Sequence, residues 1–353
     1  MRILVTGGAG FLGSALVRHL LAETRHSVIN VDAVTYAALP GALADVEHDS
    51  RYVFERADVR AAAAMDAIFA RHDPDGVIHL AAESHVDRSI AGPAAFVSTN
   101  VGGTQVMLEA ARRHRDRLPG PRADAFRWLQ VSTDEIYGSA APDQVFDESS
   151  GYAPNSPYAA SKAAADQLVR AWRVTYGLPT VITHGANTYG PFQYPEKLVP
   201  VAIYRALAGR DIPLYGNGTQ MRDWLHVADH AAALARVFEA GRVGARYNIG
   251  AGQVCTNREL VLRVAGTVDR LAPERRPSGH RIRFVADRAG HDQRYALDTR
   301  RIREELAWQP RVALEEGLEA TVRWCMAHPE LGPDGAGCVR SRASAVAAAP
   351  NRA

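Results

Sequence analysis

Residues 3–13 read Ile3-Leu4-Val5-Thr6-Gly7-Gly8-Ala9-Gly10-Phe11-Leu12-Gly13. A short apolar run passes into Gly-x-x-Gly-x-x-Gly and then into a stretch of helical periodicity. The three glycines have separate physical tasks. Gly7 permits the tight turn after a strand, Gly10 lets a pyrophosphate approach the backbone, and Gly13 lets helix and strand pack closely. Unpaired N–H groups and the dipole at such a helix start favour a negative charge. Asp32 ends the next expected strand, about 20 residues beyond the last glycine, where a carboxylate accepts from both ribose hydroxyls and repels a 2′-phosphate. The pattern therefore points to NAD rather than NADP.

Outward from this turn, apolar runs alternate with helical stretches. Strands are expected at Ile3–Thr6, Ser27–Asp32, Tyr52–Glu55, Val77–Leu80, Arg127–Ser132 and Thr180–His184, and helices near 12–24, 61–71, 94–114 and 157–176. Such alternation predicts a Rossmann-type, doubly wound parallel sheet of the α/β class. Beyond about residue 187, Pro191, Pro195, Pro200 and Pro213 break the chain into short pieces, with a turn signal at Gly216-Asn217-Gly218. Strands near 246–249 and 282–285 and helices near 227–240, 257–271 and 312–327 suggest a smaller C-terminal α/β lobe for substrate. The expected organisation is a cofactor domain over 1–186, a substrate lobe over 187–328 and a disordered tail over 332–353.

Composition sets the outer limits. The 353 residues carry 41 Lys plus Arg against 39 Asp plus Glu, a formal charge of +2 that gives no strong field for nucleic acid. No apolar run approaches the roughly 20 residues of a membrane helix. Cys255, Cys325 and Cys338 are scattered, which argues against a disulfide framework or a cysteine zinc site, and the histidines show no ligand-like spacing. A cytoplasmic protein without a metal is the simplest expectation.

Two further clusters carry chemistry. Ser156-Pro157 is a helix-start signal, and Tyr158 and Lys162 then share one helix face at i, i+4. An ammonium and a positive nicotinamide ring would both stabilise tyrosinate, so Tyr158 could take a proton from a substrate hydroxyl. Thr133-Asp134-Glu135 runs off the end of the fifth strand, the side on which open parallel sheets bind ligands. Adjacent acids there can merely solvate a loop, or serve as one acid and one base. Hydride transfer needs neither acid, so their presence beside Tyr158 suggests an elimination. Asp58-Val59, after the third strand, is an adenine contact or a strand-end cap.

These motifs together resemble the extended short-chain dehydrogenases and are similar, more closely, to the dTDP-glucose 4,6-dehydratase family. The resemblance covers roughly residues 1–328. It rests on Thr6–Gly13, Leu-Ala-Ala-Glu-Ser-His-Val-Asp-Arg-Ser (80–89), Ser-Thr-Asp-Glu-Ile-Tyr-Gly (132–138) and Ser-Pro-Tyr-Ala-Ala-Ser-Lys (156–162). Further matches are Pro-Glu-Lys-Leu (195–198), Arg-Asp-Trp (222–224) and Asp-Arg-Ala-Gly-His-Asp-Gln-Arg-Tyr (287–295). The resemblance implies a redox-neutral dehydration: Tyr158 takes the 4-hydroxyl proton while NAD⁺ oxidises C4, Glu135 removes the C5 proton, Asp134 protonates the departing C6 hydroxyl, and hydride returns to C6. Thr133 would bond the C4 oxygen, and Lys162 would also hold the nicotinamide ribose.

Cofactor contacts implied by the same resemblance are Gly7, Gly10, Phe11, Leu12, Gly13, Asp32, Ala33, Val34, Thr35, Asp58, Val59, Leu80, Ala81, Ala82, Ser84, Thr99, Tyr158, Lys162 and Thr188. Implied substrate contacts are Ser84, Thr133, Asn187, Lys197, Leu198, Pro213, Tyr215, Arg222, Asn257, His291 and Tyr295. Among these, Arg222 and Lys197 can neutralise a diphosphate and Tyr215 can pack on a base. The family resemblance further implies a homodimer built on a four-helix bundle of helices 94–114 and 157–176, with Val97, Val101, Met107 and Leu108 as candidate apolar positions.

The chain departs from the family pattern at 35–41, Thr-Tyr-Ala-Ala-Leu-Pro-Gly, where Thr-Tyr-Ala-Gly-Asn is usual. It departs again at 183–190, where an Asn-Cys-Ser-Asn-Asn-Tyr-Gly form is common and this chain has His184-Gly185-Ala186-Asn187-Thr188-Tyr189-Gly190. Rival readings are a nucleotide-sugar 4-epimerase, a dehydratase of a UDP-linked sugar, a decarboxylase of a nucleotide-linked uronic acid, and a non-catalytic NAD-binding sensor. The epimerase needs no acids after the threonine, so Asp134-Glu135 discriminates.

Overall fold

The computed structural model describes residues 1–39, 41–274 and 281–332. The tail expected to be disordered lies, from residue 333 onward, outside the described residues, as does Pro40 of the departing 35–41 loop.

Among the described residues twelve strands form in chain order: β1 (Arg2–Thr6), β2 (Ser27–Asp32), β3 (Tyr52–Arg56), β4 (Gly76–His79), β5 (Arg127–Thr133), β6 (Thr180–Gly185), β7 (Asn187–Tyr189), β8 (Ile212–Tyr215), β9 (Met221–His226), β10 (Arg246–Ile249), β11 (Val254–Thr256) and β12 (Ile282–Val285). Seven of them make one parallel sheet in the order β10-β6-β5-β4-β1-β2-β3. β1, β4, β5 and β6 are buried almost throughout because helices cover both faces. On one face Leu16, Val17 and Leu20 of helix Phe11–Glu23 pack with Leu234, Val237 and Phe238 of helix Val227–Ala240. On the other, Met65, Ile68 and Phe69 pack with Met107, Leu108 and Val169.

The chain leaves β1 toward β2 and β3, and resumes at β4 on the opposite side. The crevice beyond the carboxyl ends of β1 and β4 is the topological switch point where such sheets bind ligands. Gly7 follows β1, Leu80 follows β4, Asp134 follows β5 and Ala186 follows β6, so four candidate loops open from the same edge.

The chain divides into two compact units that interleave. The first comprises Met1–Thr188, Gln220–Cys255 and Asp287–Val312; the second comprises Tyr189–Thr219, Thr256–Ala286 and the segment from Ala313. This differs from a single boundary after residue 186. The strand at 246–249, expected in the smaller lobe, pairs with β6 and completes the large sheet. Its buried Tyr247, Asn248 and Ile249 suit that interior place. The second unit pairs β8 and β12 in parallel and packs helices Leu198–Leu207, Asn257–Leu271 and Leu314–Ala327 together.

The helix expected at 94–114 contains a π-helical stretch, Val97–Gly103, before Thr104–Arg115. Met107 and Leu108 are fully buried in the core under the sheet, so they cannot supply an apolar face to a second copy; Val97 is exposed. No described helix is long and apolar enough to cross a membrane.

Candidate active site

The glycine turn folds as its sequence predicts. Gly7 has φ +73, a region open to glycine, and a Cβ there would meet Ala81 N at 2.8 Å. A Cβ on Gly13 would collide with the Gly7 carbonyl oxygen and come within 2.7 Å of Gly8 Cα. Gly10 is the N-cap of helix Phe11–Glu23, without a side-chain cap and without an acidic residue in the first turn. The helix start therefore presents free backbone donors and uncompensated positive potential, which suits a pyrophosphate. Asp32 ends β2 and accepts from Ala9 N at 3.0 Å and Val34 N at 2.7 Å. Burial raises its pKa and these two N–H groups oppose the rise. Val34 holds φ +53, strained for a β-branched residue and thus a marked feature of the loop that carries Ala33 and Thr35.

The β4 end of the crevice is set by His79. Thr104 Oγ1 donates to the Asn100 carbonyl at 2.6 Å, so it accepts from His79 Nε2 at 3.1 Å. His79 Nδ1 then accepts from Thr6 Oγ1 at 2.7 Å, and that oxygen takes the N–H groups of Leu80 and Ala81. Burial, aided by the Lys162 charge, depresses His79 to about 3, so it is neutral as this chain of bonds requires. Asn100, inside the π-helical stretch, clamps Glu83 through both its N–H and its carbonyl and also donates to Ser161 Oγ at 2.8 Å. Thr99 lies partly buried beside it; Ser84 is exposed and Ala82 is partly buried. Thr188 Oγ1 bonds His230 Nδ1 at 2.7 Å. Asp58 accepts from the Arg60 guanidinium and backbone N–H, which lowers its pKa. Val59 is buried under Gly103.

The catalytic candidates converge. Ser156 caps helix Pro157–Tyr176 by accepting from Ala159 N at 3.0 Å, and Tyr158 and Lys162 follow on one face. Lys162 is 4% exposed and its Nζ donates to the Val131 carbonyl at 2.7 Å. Burial lowers the lysine pKa and Asp166 opposes that. Tyr158 is hydrogen-bonded to Thr133; burial and then the Glu135 charge raise its pKa, with the Thr133 bond opposing. Thr133 Oγ1 donates to Asp134 Oδ1 at 3.3 Å and accepts from Glu135 N at 3.3 Å. Asp134 is 3% exposed and its Oδ2 has no hydrogen-bond partner among the described residues. Burial first, and then Glu135, raise its pKa well above the usual carboxylate range, against a lowering by Arg222. An acid and a partly exposed neighbouring carboxylate thus stand in different environments, as an acid–base pair requires.

Arg222, His291 and Tyr295 lie in the same unit as these groups. The buried Arg222 guanidinium sits 4.1 Å from the Tyr295 ring centroid and donates to the carbonyls of Met221 and Asp292 at 2.8 and 2.7 Å. Asp292 accepts from Tyr295 Oη at 2.8 Å and from Asn155 Nδ2 at 2.6 Å. His291 Nδ1 bonds Asp287 at 2.6 Å. Asn187 is partly buried, and its Oδ1 has no partner. Lys197, Leu198, Pro213, Tyr215 and Asn257 belong to the second unit. There Lys197 and Leu198 start helix Leu198–Leu207, Pro213 and Tyr215 lie on β8, and Asn257 opens its helix with a buried Oδ1 that lacks a partner. Sequence reasoning missed His79, Asn100, Asn155, Asp166 and Asp292, which hold the candidates in place. Only Asp166, four residues past Lys162 on the same helix, carried a periodicity that could have revealed it.

A family described as GDP-mannose 4,6 dehydratase matches residues 4–321. The chain belongs to that family. It is 51% identical over 337 residues to dTDP-glucose 4,6-dehydratase 1 of Escherichia coli K12, covering 93% of each chain. It is 50% identical over 328 residues to dTDP-glucose 4,6-dehydratase of Neisseria gonorrhoeae, covering 91% of this chain and 94% of that one. The solved structure of DesIV, a dTDP-glucose 4,6-dehydratase from Streptomyces venezuelae with NAD and TYD bound, superposes with TM-score 0.86 at 43% identity, over 95% of this chain and 99% of that one. The resemblance read from the motifs is thereby borne out, as is the Rossmann-type parallel sheet. A UDP-glucose 4-epimerase from Thermotoga maritima shares the fold at TM-score 0.80 but at 29% identity.

Proposed function

We propose that the chain is an NAD-dependent hydro-lyase that converts dTDP-glucose to dTDP-4-keto-6-deoxyglucose and water. The observation that carries this reading is the buried Asp134, whose Oδ2 finds no hydrogen-bond partner among the described residues, beside Glu135 and Tyr158. An epimerase needs no such acid. The turn from Gly7 to Gly13, the uncapped helix start and Asp32 fit NAD, and they would hold its pyrophosphate and adenosine ribose. When bound, NAD supplies the reversible two-electron oxidation that takes hydride from C4 and returns it to C6.

The protein's own groups move protons. Tyr158 takes the proton of the 4-hydroxyl, with the Lys162 ammonium on the same helix face favouring the phenolate. The 4-ketone acidifies C5–H, and Glu135 removes that proton. Asp134, kept protonated by burial, delivers its proton to the C6 oxygen, which leaves as water. Glu135 then returns a proton to C5. Arg222, already stripped of water and bonded only to backbone carbonyls, is suited to the substrate diphosphate. Lys197, Tyr215 and Asn257 are proposed for the nucleotide side, and the active form is proposed to be a cytoplasmic homodimer built on helix Pro157–Tyr176 and the helical segment before residue 115.

Competition between dTDP-glucose and UDP-glucose tests the substrate assignment. The expected result is a kcat/KM for dTDP-glucose at least tenfold above that for UDP-glucose. Equal values, or a preference for UDP, would move the assignment to another nucleotide sugar.

A further inference from the structure

Behind the catalytic helix lies a buried polar cluster that the dehydration chemistry leaves unused. His184 lies one residue before the end of β6 with no exposed surface, and Asp166 meets it from helix Pro157–Tyr176, 1% exposed. His184 belongs to the stretch where this chain departs from the family pattern.

Counting protons in the cluster exposes a conflict. Asn248 Nδ2 donates to the carbonyls of Phe146 and Asp298 at 2.9 and 3.3 Å, and carbonyls only accept, so Asn248 Oδ1 faces Tyr137. The Tyr137 hydroxyl gives its one proton to that oxygen at 3.0 Å. Toward His184 Nδ1, 2.8 Å away, Tyr137 can then only accept, so Nδ1 carries hydrogen. A neutral His184 would have a lone pair at Nε2, which lies 3.3 Å from Asp166 Oδ2. The Tyr152 hydroxyl, 3.1 Å from Nε2 and 3.5 Å from Oδ2, can satisfy one of them and not both. Asp166 Oδ1 has no hydrogen-bond partner among the described residues. An ionised carboxylate and an imidazole lone pair, both out of water, do not face each other without a proton between them.

Asp166 also stands one helical turn beyond Lys162, whose Nζ is anchored on the Val131 carbonyl. On its other side it lines a polar cavity of about 230 Å³ shared with Arg170, Arg173 and Arg246. Its surroundings are therefore Lys162 on its own helix, Tyr152 and His184 in the interior, and the three arginines across the cavity.

We infer that His184 and Asp166 share one extra proton and act together as a positioning pair for Lys162, Asp166 supplying the counter-charge to the buried ammonium and His184 limiting how much of that charge is available. The pair touches neither substrate nor cofactor; it acts through Lys162. The inference rests on the dehydratase reading only for its kinetic consequence.

Two measurements test it. In protein labelled with ¹⁵N-histidine and ¹³C-aspartate, spectra at neutral pH, assigned with H184N and D166N, should show either an imidazolium at His184 or a carboxylic acid at Asp166. A neutral imidazole facing an ionised carboxylate would overturn the proposal, whatever the enzyme turns over. In kcat/KM profiles with dTDP-glucose, D166N should move the alkaline limb down by about one pH unit, as expected for loss of a near counter-charge, with recovery in D166E. H184N, which carries the residue usual in the family, should move that limb up. Profiles that superimpose on the parent's would overturn the positioning role. A parent enzyme that fails to turn over would instead remove the proposed function and leave the spectroscopic result standing.

Discussion

The Thr133 hydroxyl donates to one oxygen of Asp134 at 3.3 Å, while the other oxygen of that carboxyl meets no hydrogen-bond partner among the described residues. The arrangement suits a carboxylic acid whose free O–H is aimed for use. Asn in place of Asp134 keeps the acceptor for Thr133 and replaces the acidic O–H with an amide that cannot deliver a proton. D134N should therefore bind NAD and oxidise C4 as before, while water loss falls by about 10²- to 10⁴-fold, the usual size of a general-acid contribution. Rapid-quench product analysis alongside NADH absorbance checks this.

Glu135 influences Tyr158 as well as C5. Burial is the largest cause raising the phenol, and the Glu135 charge is the next. In the proposed mechanism Tyr158 works as phenolate, so C4 oxidation should speed up as pH rises through its pKa. E135Q removes a raising charge. The half-maximal pH of NADH formation in single turnovers should fall in E135Q, although overall dehydration is lost. An unchanged or higher midpoint would show that the two groups are not coupled.

The same burial has a cost in stability. Asp134 has a raised folded-state pKa, so the native protein holds a proton that the unfolded chain releases at the ordinary aspartate value. Stability from this group is fully present below that ordinary value and is lost as pH climbs toward the raised one. D134N carries no such dependence. Relative to the parent, its stability should increase with pH across that window by up to about 1.4 kcal/mol per unit. Denaturant titrations of both proteins at several pH values read the difference.

Much of the first unit was legible in the sequence because its signals are local. Gly7 is required by the positive φ of its turn and Gly13 by contacts within that turn, Ser156-Pro157 starts a helix by its own side chain, and the strands of the large sheet carry short apolar stretches. The interleaving of the units was not legible. β10 joins β6 through parallel pairing after some sixty intervening residues, a choice made by tertiary packing that its short sequence does not announce. Likewise His79, Asn100 and Asp292 act through hydrogen bonds to Thr6, Ser161 and Asn155, partners far along the chain, with no periodicity to mark them. Met107 and Leu108 misled because an apolar residue at helical spacing looks the same whether it meets its own sheet or a second copy.

Turnover of dTDP-glucose in heavy water, followed by mass and NMR analysis of the sugar, bears most directly on the paired acids. The account predicts loss of one water, one deuterium at C5 and no net NADH. A product of unchanged mass with an inverted C4 centre, or a dehydrated product without deuterium at C5, would contradict it.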